Sequence, residues 1–135
     1  MSDSRNSINF NLKSLVVDDN IVHQNLSSHI LKSLGCDVDT ASDGKEGWEK
    51  FEINEYDIVF MDLNMPVMDG YEAIKKIREI MSKRAHKSKI ITITSNSTQA
   101  DKVLCNKIGV DHYITKPMKT ENIKDVLEIL FPRSK

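Results

Sequence analysis

Short apolar runs alternate with amphipathic segments along this chain. Five of the runs have the length and composition of β-strands, and a segment with helical spacing of apolar residues follows each one. The runs are SLVV (14–17), CDVDTA (36–41), DIVFM (57–61), KIITIT (89–94) and HYI (112–114). This alternation predicts five strands joined by helical crossovers, and therefore a parallel sheet covered by helices on both faces.

The five helical segments carry apolar stripes of different quality. In chain order the stripes are Val22, Leu26, Ile30 and Leu34; Trp48 and Phe51; Ile74, Ile77 and Met81; Ala100, Val103, Leu104 and Ile108; and Ile123, Val126, Leu127 and Leu130. The last stripe has the i, i+3, i+4, i+7 spacing of an amphipathic helix, with Thr120 placed to cap it. Gly35 and Gly109 are the expected stops of the first and fourth helices.

Periodicity does not give the strand order, but how apolar each run is indicates whether it lies at the centre or the edge of the sheet. The first, third and fourth runs are continuous, which suits the centre of a sheet, whereas the alternating second run and the short fifth suit its edges. This pattern fits the α/β class and a (βα)5 flavodoxin-like, doubly wound parallel sheet with strand order 2-1-3-4-5. We expect one packed domain over residues 12–132, a flexible N-terminal tail at 1–11 and a C-terminal tail at 133–135.

Composition excludes several classes of function. The chain has 135 residues, with 19 basic and 20 acidic side chains and a net charge of -1, so nothing favours nucleic acid or an anionic membrane. No apolar run approaches the roughly 18 residues of a membrane span. The polar N-terminal segment does not have the pattern of a secretory signal, so we expect a cytoplasmic protein in which Cys36 and Cys105 are reduced thiols.

Polar residues end or follow four of the five strands. Asp18 and Asp19 follow the first run, Asp62 follows the third, Thr94 ends the fourth, and Lys116 lies just beyond the fifth. Because the carboxyl ends of parallel strands meet at one edge, these side chains are expected to converge. Taken singly, each has a simpler interpretation. Asp18, Asp19 and Asn20 could cap the helix that follows, Thr94 could be an ordinary strand residue, and Lys116 could be a solvated charge.

Taken together, these residues indicate a phosphoryl-transfer site. Three neighbouring carboxylates repel one another unless a cation is bound, and oxygen ligands suit Mg2+, with Mn2+ able to replace it. A lysine and a hydroxyl would add positive charge and a hydrogen-bond donor for a phosphoryl group, with a carboxylate as its acceptor.

The motifs VVDDN (16–20), MDLNMPVMDG (61–70), IT (93–94) and YITKP (113–117) resemble the receiver domain of two-component response regulators. The resemblance extends from about residue 13 to residue 131. The VDDN start and the segment GCDVDTASDG (35–44) are most similar to receivers of hybrid kinases and phosphorelays. The chain is then either a stand-alone regulator or the cytoplasmic receiver of a membrane-bound hybrid kinase.

The resemblance implies a role for each residue of the Mg2+ site. Asp62 matches the phosphoacceptor, which receives its phosphoryl group from a phosphohistidine of a histidine kinase or a histidine phosphotransfer protein. Asp18, Asp19 and Asp62 match the acidic ligands of Mg2+, and the backbone carbonyl of Asn64 matches the remaining protein ligand. No other cofactor is implied.

The resemblance also implies a conformational switch. Thr94 and Lys116 match the hydroxyl and the lysine that contact the phosphoryl group, and Tyr113 matches the aromatic residue that responds to it. Phosphorylation would then alter the face formed by the fourth helix, fifth strand and fifth helix. A protein of this kind is not a turnover enzyme, although it takes part in its own phosphorylation and dephosphorylation, and we expect a monomer or weak dimer.

Other interpretations remain open. One is a degenerate receiver that only binds other proteins. The complete set of acids in this chain, together with Thr94 and Lys116, argues against it. Another is an aspartyl-phosphate phosphatase, which would need a second acid two residues after Asp62, where Asn64 stands. A flavodoxin would need a phosphate-binding loop where DDNIVH (18–23) would repel phosphate. The four histidines lack the spacing of a zinc site and are expected at the surface.

Overall fold

The structure, a computed structural model, describes residues 9–63, 70–94, 103, 106–116 and 118–132. Helices and strands alternate along these residues. In chain order they are β1 Lys13–Val17, α1 Ile21–Ser33, β2 Asp37–Ala41, α2 Gly44–Ile53, β3 Ile58–Asp62, α3 Gly70–Met81, β4 Lys89–Thr94, β5 His112–Thr115 and a C-terminal helix Thr120–Leu130. Val103 and residues 106–108 are also helical, and the rest of the predicted fourth helix lies outside the described residues.

The five strands form one parallel sheet in the order β2-β1-β3-β4-β5, which confirms the predicted fold. All five residues of β3 are buried, whereas β2 is largely half-exposed. The continuous apolar runs therefore occupy the centre of the sheet and the alternating run occupies an edge, because only central strands are covered by helices on both faces.

Two hydrophobic clusters cover the two faces of the sheet. Successive strand residues point to opposite faces, so neighbours such as Val59 and Phe60 belong to different clusters. One cluster joins the sheet to α1 and the C-terminal helix, and the other joins it to α2 and α3. Buried Leu31 and Leu127 contribute to the first cluster, and buried Phe51 contributes to the second.

The apolar stripe predicted for α1 is only half correct. Ile30 and Leu34 are buried, but Val22 is 68% exposed and Leu26 is 43% exposed. A strict i+4 row advances 400° per step in a helix of about 3.6 residues per turn, so it drifts about 40° at each step. The two ends of the row therefore face different directions, and polar Gln24 takes a buried position in the first half of α1.

Two element ends differ from the sequence prediction. Phe10, assigned to the tail, is buried in the core, and its N–H donates to Leu34 O at 2.9 Å. Packed structure thus begins before the predicted boundary at residue 12. Thr120 is the first residue of the C-terminal helix and not its cap, a position that Lys119 occupies without a side-chain hydrogen bond. Among the described residues, no helix is both long and apolar enough to cross a membrane.

Candidate functional site

In the turn after β1, the residue that caps α1 is different from the acidic residues. Asn20 caps α1, because its side-chain oxygen accepts hydrogen bonds from the N–H groups of Val22 (2.9 Å) and His23 (3.1 Å). The Asp18 carboxylate instead accepts the Asn20 N–H through Oδ1 at 2.9 Å. The capping interpretation therefore applies to Asn20, and the acidic side chains are available to form a site.

Gln24 fixes the start of α1 against the sheet. Its buried side-chain amide donates to Asp18 O at 2.9 Å and to Ala41 O at 3.1 Å, the carbonyls that follow β1 and end β2. This amide satisfies two main-chain acceptors at the sheet edge and holds the backbone of Asp18 in place. Sequence reasoning missed Gln24; its one signal was a polar residue next to the buried face of an otherwise amphipathic helix.

Asp62 is the last residue of β3 and is 1% exposed. Pairing with β4 continues past it, since the Leu63 N–H donates to Ile93 O at 3.0 Å. The start of α3 also lies against this strand end: a Cβ at Gly70 would stand 2.6 Å from Asp62 O, so only glycine fits there. The main chain on both sides of Asp62 is thus tightly held.

Asp18, Asp19 and Asp62 converge as predicted. One oxygen atom from each carboxylate lies within 4.8 Å of the other two. Asp18 is 1% exposed, like Asp62, whereas Asp19 is exposed. Burial raises the pKa of Asp18, and the adjacent Asp62 carboxylate adds to this effect, while the Asn20 N–H and the Lys116 ammonium oppose it.

The donor set of this cluster fits a divalent metal ion. Three carboxylates at this spacing offer only hard oxygen ligands, as Mg2+ requires. Two of the carboxylates are withdrawn from water, so a cation between them would offset their repulsion. The exposed side chain of Asp19 leaves one side of the cluster open to solvent and to an incoming group.

Lys116 completes the charged site. Its side chain is 16% exposed, and Nζ lies 3.2 Å from Asp62 Oδ2 and 3.7 Å from Asp18 Oδ2. Its N–H donates to Thr94 O at 2.7 Å, which anchors the residue to the end of β4. A single ammonium therefore lies between the two buried carboxylates, close enough to Asp62 for a charge-assisted hydrogen bond.

Thr94 and Tyr113 lie on the neighbouring strands. Thr94 is buried at the end of β4, where it is paired with Thr115 of β5. Tyr113 is half-buried and lines a groove with Asn122 and Ile129, between β5 and the C-terminal helix. The two residues are thus close along the sheet, with Tyr113 facing the groove. Asn64 and Pro117 lie outside the described residues.

The histidines are not all simple surface residues. His29 is exposed, as predicted. His23, however, is half-buried, and its Nδ1 lies 3.1 Å from Lys116 Nζ. His86 lies 3.3 Å from Asp57 near the opposite end of the sheet. Sequence reasoning missed the contact of His23 because a half-exposed position on a helix does not reveal where its side chain points.

Comparison with known proteins identifies the family. Residues 14–128 match the model of the response regulator receiver domain. The hybrid signal transduction histidine kinase L of Dictyostelium discoideum is 36% identical over 120 residues, which cover 86% of this chain and 7% of that kinase. The chain thus spans a small part of the curated relatives that it matches.

Solved structures agree with this assignment. The receiver domain of the sensor histidine kinase PA1611 from Pseudomonas aeruginosa, solved with a magnesium ion coordinated in its active-site cleft, is 32% identical with a TM-score of 0.77, covering 88% of this chain and 96% of that one. The receiver domain of Ssk1 from Saccharomyces cerevisiae, crystallised with the histidine phosphotransfer protein Ypd1, is 27% identical with a TM-score of 0.79, covering 87% of each chain. From its sequence, fold and site, this chain belongs to the response regulator receiver domain family.

Proposed function

We propose that Asp62 accepts a phosphoryl group from a phosphohistidine, with Mg2+ bound by Asp18, Asp19 and Asp62 and by the backbone carbonyl of Asn64. The observation that carries this proposal is the 3.2 Å contact between Lys116 Nζ and the buried Asp62 carboxylate, next to two further acids. Mn2+ is expected to replace Mg2+, since both are divalent ions that favour oxygen ligands.

The transfer needs little covalent chemistry from the protein. An oxygen of the Asp62 carboxylate bonds to phosphorus while the phosphorus–nitrogen bond to the donor imidazole breaks, and that electron pair leaves with the imidazole nitrogen. Since the transition state of phosphoryl transfer is loose, most of the catalysis comes from positioning the reactants and neutralising charge on the phosphoryl oxygens. Bound Mg2+ would neutralise part of the charge on the phosphoryl oxygens, and Lys116 adds its positive charge from the other side.

A donor protein has an apolar surface to bind next to the acceptor. Ile21, Val22 and Leu26 are 61%, 68% and 43% exposed in the first turns of α1, directly after the acidic pair. The yeast receiver of similar fold was crystallised with a histidine phosphotransfer protein, and the curated relatives include hybrid histidine kinases. A histidine kinase or a histidine phosphotransfer protein in the cytoplasm is therefore the proposed donor.

The proposed output is a change in packing around β5. Thr94 would donate its hydroxyl to a phosphoryl oxygen on Asp62, and Tyr113 would change its position in response. Support comes from the burial of Thr94 at the end of β4 and from the groove beside Tyr113, which leaves room for an aromatic ring to move. Phosphorylation would then shift the population between two packings of the face that contains residues 106–108, β5 and the C-terminal helix.

Intact-mass spectrometry with phosphoramidate and Mg2+ tests the acceptor. The wild-type chain should gain the mass of one phosphoryl group, whereas Asp62→Asn should gain none, because an amide oxygen is a far weaker nucleophile than a carboxylate. Chelation of Mg2+ should suppress the gain in the wild type.

Asp57→Asn is the matched control, since Asp57 lies just before the start of the same strand, at the opposite end of the sheet. It should be phosphorylated like the wild type. Equal phosphoryl incorporation in Asp62→Asn would refute the proposed acceptor, and no incorporation in the wild type would favour a receiver that only binds other proteins.

A further inference from the structure

His23 contacts the lysine of the site from the first turn of α1. Its Nδ1 lies 3.1 Å from Lys116 Nζ, a hydrogen-bonding distance. An ammonium group has only donors, so Nδ1 must be the acceptor. In this contact Nδ1 is unprotonated, and the neutral imidazole carries its proton on Nε2.

Both partners of this contact are held by their own main chains. The main-chain N–H of His23 donates to Oδ1 of the cap residue Asn20 at 3.1 Å, which fixes the first turn of α1. The Lys116 N–H donates to Thr94 O at 2.7 Å, which fixes the lysine backbone at the end of β4. The two side chains therefore meet from two anchored elements, and the contact joins α1 to the far side of the site.

Three acceptor atoms lie around the ammonium, two at hydrogen-bonding distance and one at the distance of an ion pair. Asp62 Oδ2 lies at 3.2 Å, His23 Nδ1 at 3.1 Å and Asp18 Oδ2 at 3.7 Å. Lysine is long and flexible, and two carboxylates on one side would draw its charge towards them. The imidazole is an uncharged acceptor on the α1 side, so it restrains the ammonium without adding a negative charge to the site.

We propose that His23 is a positioning residue that holds the Lys116 ammonium in place for phosphoryl transfer to Asp62. This role rests on the function proposed above and adds a residue to it. Without the imidazole, Lys116 would keep its charge but lose one of its restraints, and a poorly placed charge stabilises the transition state less well. The loss of one such hydrogen bond predicts a phosphorylation rate about three- to tenfold lower.

Three variants separate this role from a simple packing role. His23→Leu removes the acceptor, and His23→Asn restores it, since its Oδ1 occupies nearly the place of Nδ1. His29→Leu is the matched control, as an exposed histidine of the same helix. With phosphoramidate at saturating Mg2+, we expect the rate to fall about three- to tenfold in His23→Leu and to return to within about twofold of wild type in His23→Asn. His29→Leu should be unchanged.

NMR spectroscopy of the histidine ring nitrogens tests the contact without any phosphorylation. In the wild-type protein, His23 should carry its proton on Nε2, with Nδ1 at the shift of a hydrogen-bonded acceptor. Lys116→Met should move the Nδ1 resonance of His23 and leave that of His29 in place. This measurement needs no His23 variant to fold.

The outcomes distinguish the two proposals. A proton on Nδ1 of His23, a Nδ1 shift indifferent to Lys116→Met, or an unchanged rate in His23→Leu would each overturn the positioning role. Failure of His23→Asn to recover would also overturn it, because packing alone would then explain the loss. If the wild type takes up no phosphoryl group, the proposed function fails, while the NMR result still decides whether His23 holds Lys116.

Discussion

Two carboxylates near opposite ends of β3 have contrasting surroundings. Asp57, just before the strand, accepts the Lys13 N–H at 2.8 Å, lies 3.3 Å from His86 Nε2, and has a side chain that is 30% exposed. Asp62, at the end of the strand, is 1% exposed and lies beside the similarly buried Asp18. The first carboxylate is solvated and bonded to the main chain, whereas the second shares one lysine with another acid.

The amino end of the sheet is built for stability. Arg84 donates to three carbonyls at the end of α2, those of Phe51 (2.9 Å), Glu52 (2.6 Å) and Asn54 (3.0 Å). These are acceptors that a helix end would otherwise leave unsatisfied. Polar groups at this end thus complete the hydrogen bonding of the fold, and their removal should cost stability without affecting chemistry.

The carboxyl end concentrates charge instead. Burying two neighbouring carboxylates costs free energy that one ammonium offsets only in part. A divalent cation or a phosphoryl group at this end changes that balance, so the same groups that oppose folding make the site responsive. Buried charge is thus concentrated at one end of the sheet and saturated hydrogen bonds at the other. We expect the first to serve the proposed function and the second to serve stability.

Among the substitutions at the two ends of the sheet, Lys116→Met should have the largest effect. It removes the only cation within 4 Å of the buried carboxylates among the described residues, so the phosphorylation rate should fall by about 10²- to 10³-fold. The rate is measured by intact-mass spectrometry with phosphoramidate and Mg2+. Lys87→Met is the control, since Lys87 is an exposed lysine that donates to Met81 O, at the other end of the sheet. A Lys116→Met rate within about threefold of wild type would contradict this assignment of charge to the site.

The strands were more predictable than the helix faces. KIITIT and DIVFM mark β4 and β3 within one residue, because a strand covered on both faces needs an unbroken apolar run. The face of α1 was not predictable to the same degree, since its i+4 row fits a wide range of helix rotations. Val22 and Leu26 show this: the apolar pattern predicts that both are buried in the core, but both are exposed.

Arg84→Ala should lower stability at the amino end and leave the site intact. Loss of its hydrogen bonds to three carbonyls, one of them near the exposed surface, should lower the free energy of unfolding by about 2 kcal/mol. Urea unfolding measures this difference. Phosphorylation of the folded variant should match the wild type.

Arg78→Ala is the control for Arg84→Ala. Arg78 is exposed, and among the described residues its guanidinium donates to one carbonyl, Gly109 O, at 2.9 Å. It should cost less than about 1 kcal/mol. If the two variants are equally stable, the hydrogen bonds from Arg84 to the end of α2 do not stabilise the amino end of the sheet.

The charged residues of the site were predictable because topology alone brings strand ends together. Asp18, Asp62 and Lys116 needed only the strand order and the rule that carboxyl ends share an edge. Gln24 and His23 were not predictable, since their contacts depend on how α1 is rotated and on side-chain direction. Helical residues that reach into a strand-end site leave little trace in the sequence pattern.

Asp18→Asn tests whether buried charge opposes folding at the carboxyl end. For an acid whose pKa is raised by folding, the folded state binds more protons than the unfolded state between the ordinary value of 3.8 and the raised value. Stability therefore falls as pH rises through this window, and the cost is fully present once the pH exceeds the raised pKa. The asparagine has no charge, and its Oδ1 can still accept the Asn20 N–H. We expect the metal-free variant to be more stable than the wild type at pH 7 by about 1 kcal/mol.

Mg2+ should reverse that order. A ligand that binds only the folded state adds about 1.4 kcal/mol at tenfold excess over its Kd, and Asp18→Asn should lose most of this gain because a metal ligand is missing. Urea unfolding of both proteins at pH 7, with Mg2+ and with chelator, measures all four values. Asp37→Asn, an exposed acid at the start of β2, should leave both the stability and the Mg2+ response unchanged. If Asp18→Asn is the less stable protein without metal, then Lys116 already compensates the buried pair, and the two ends of the sheet differ less than their burial suggests.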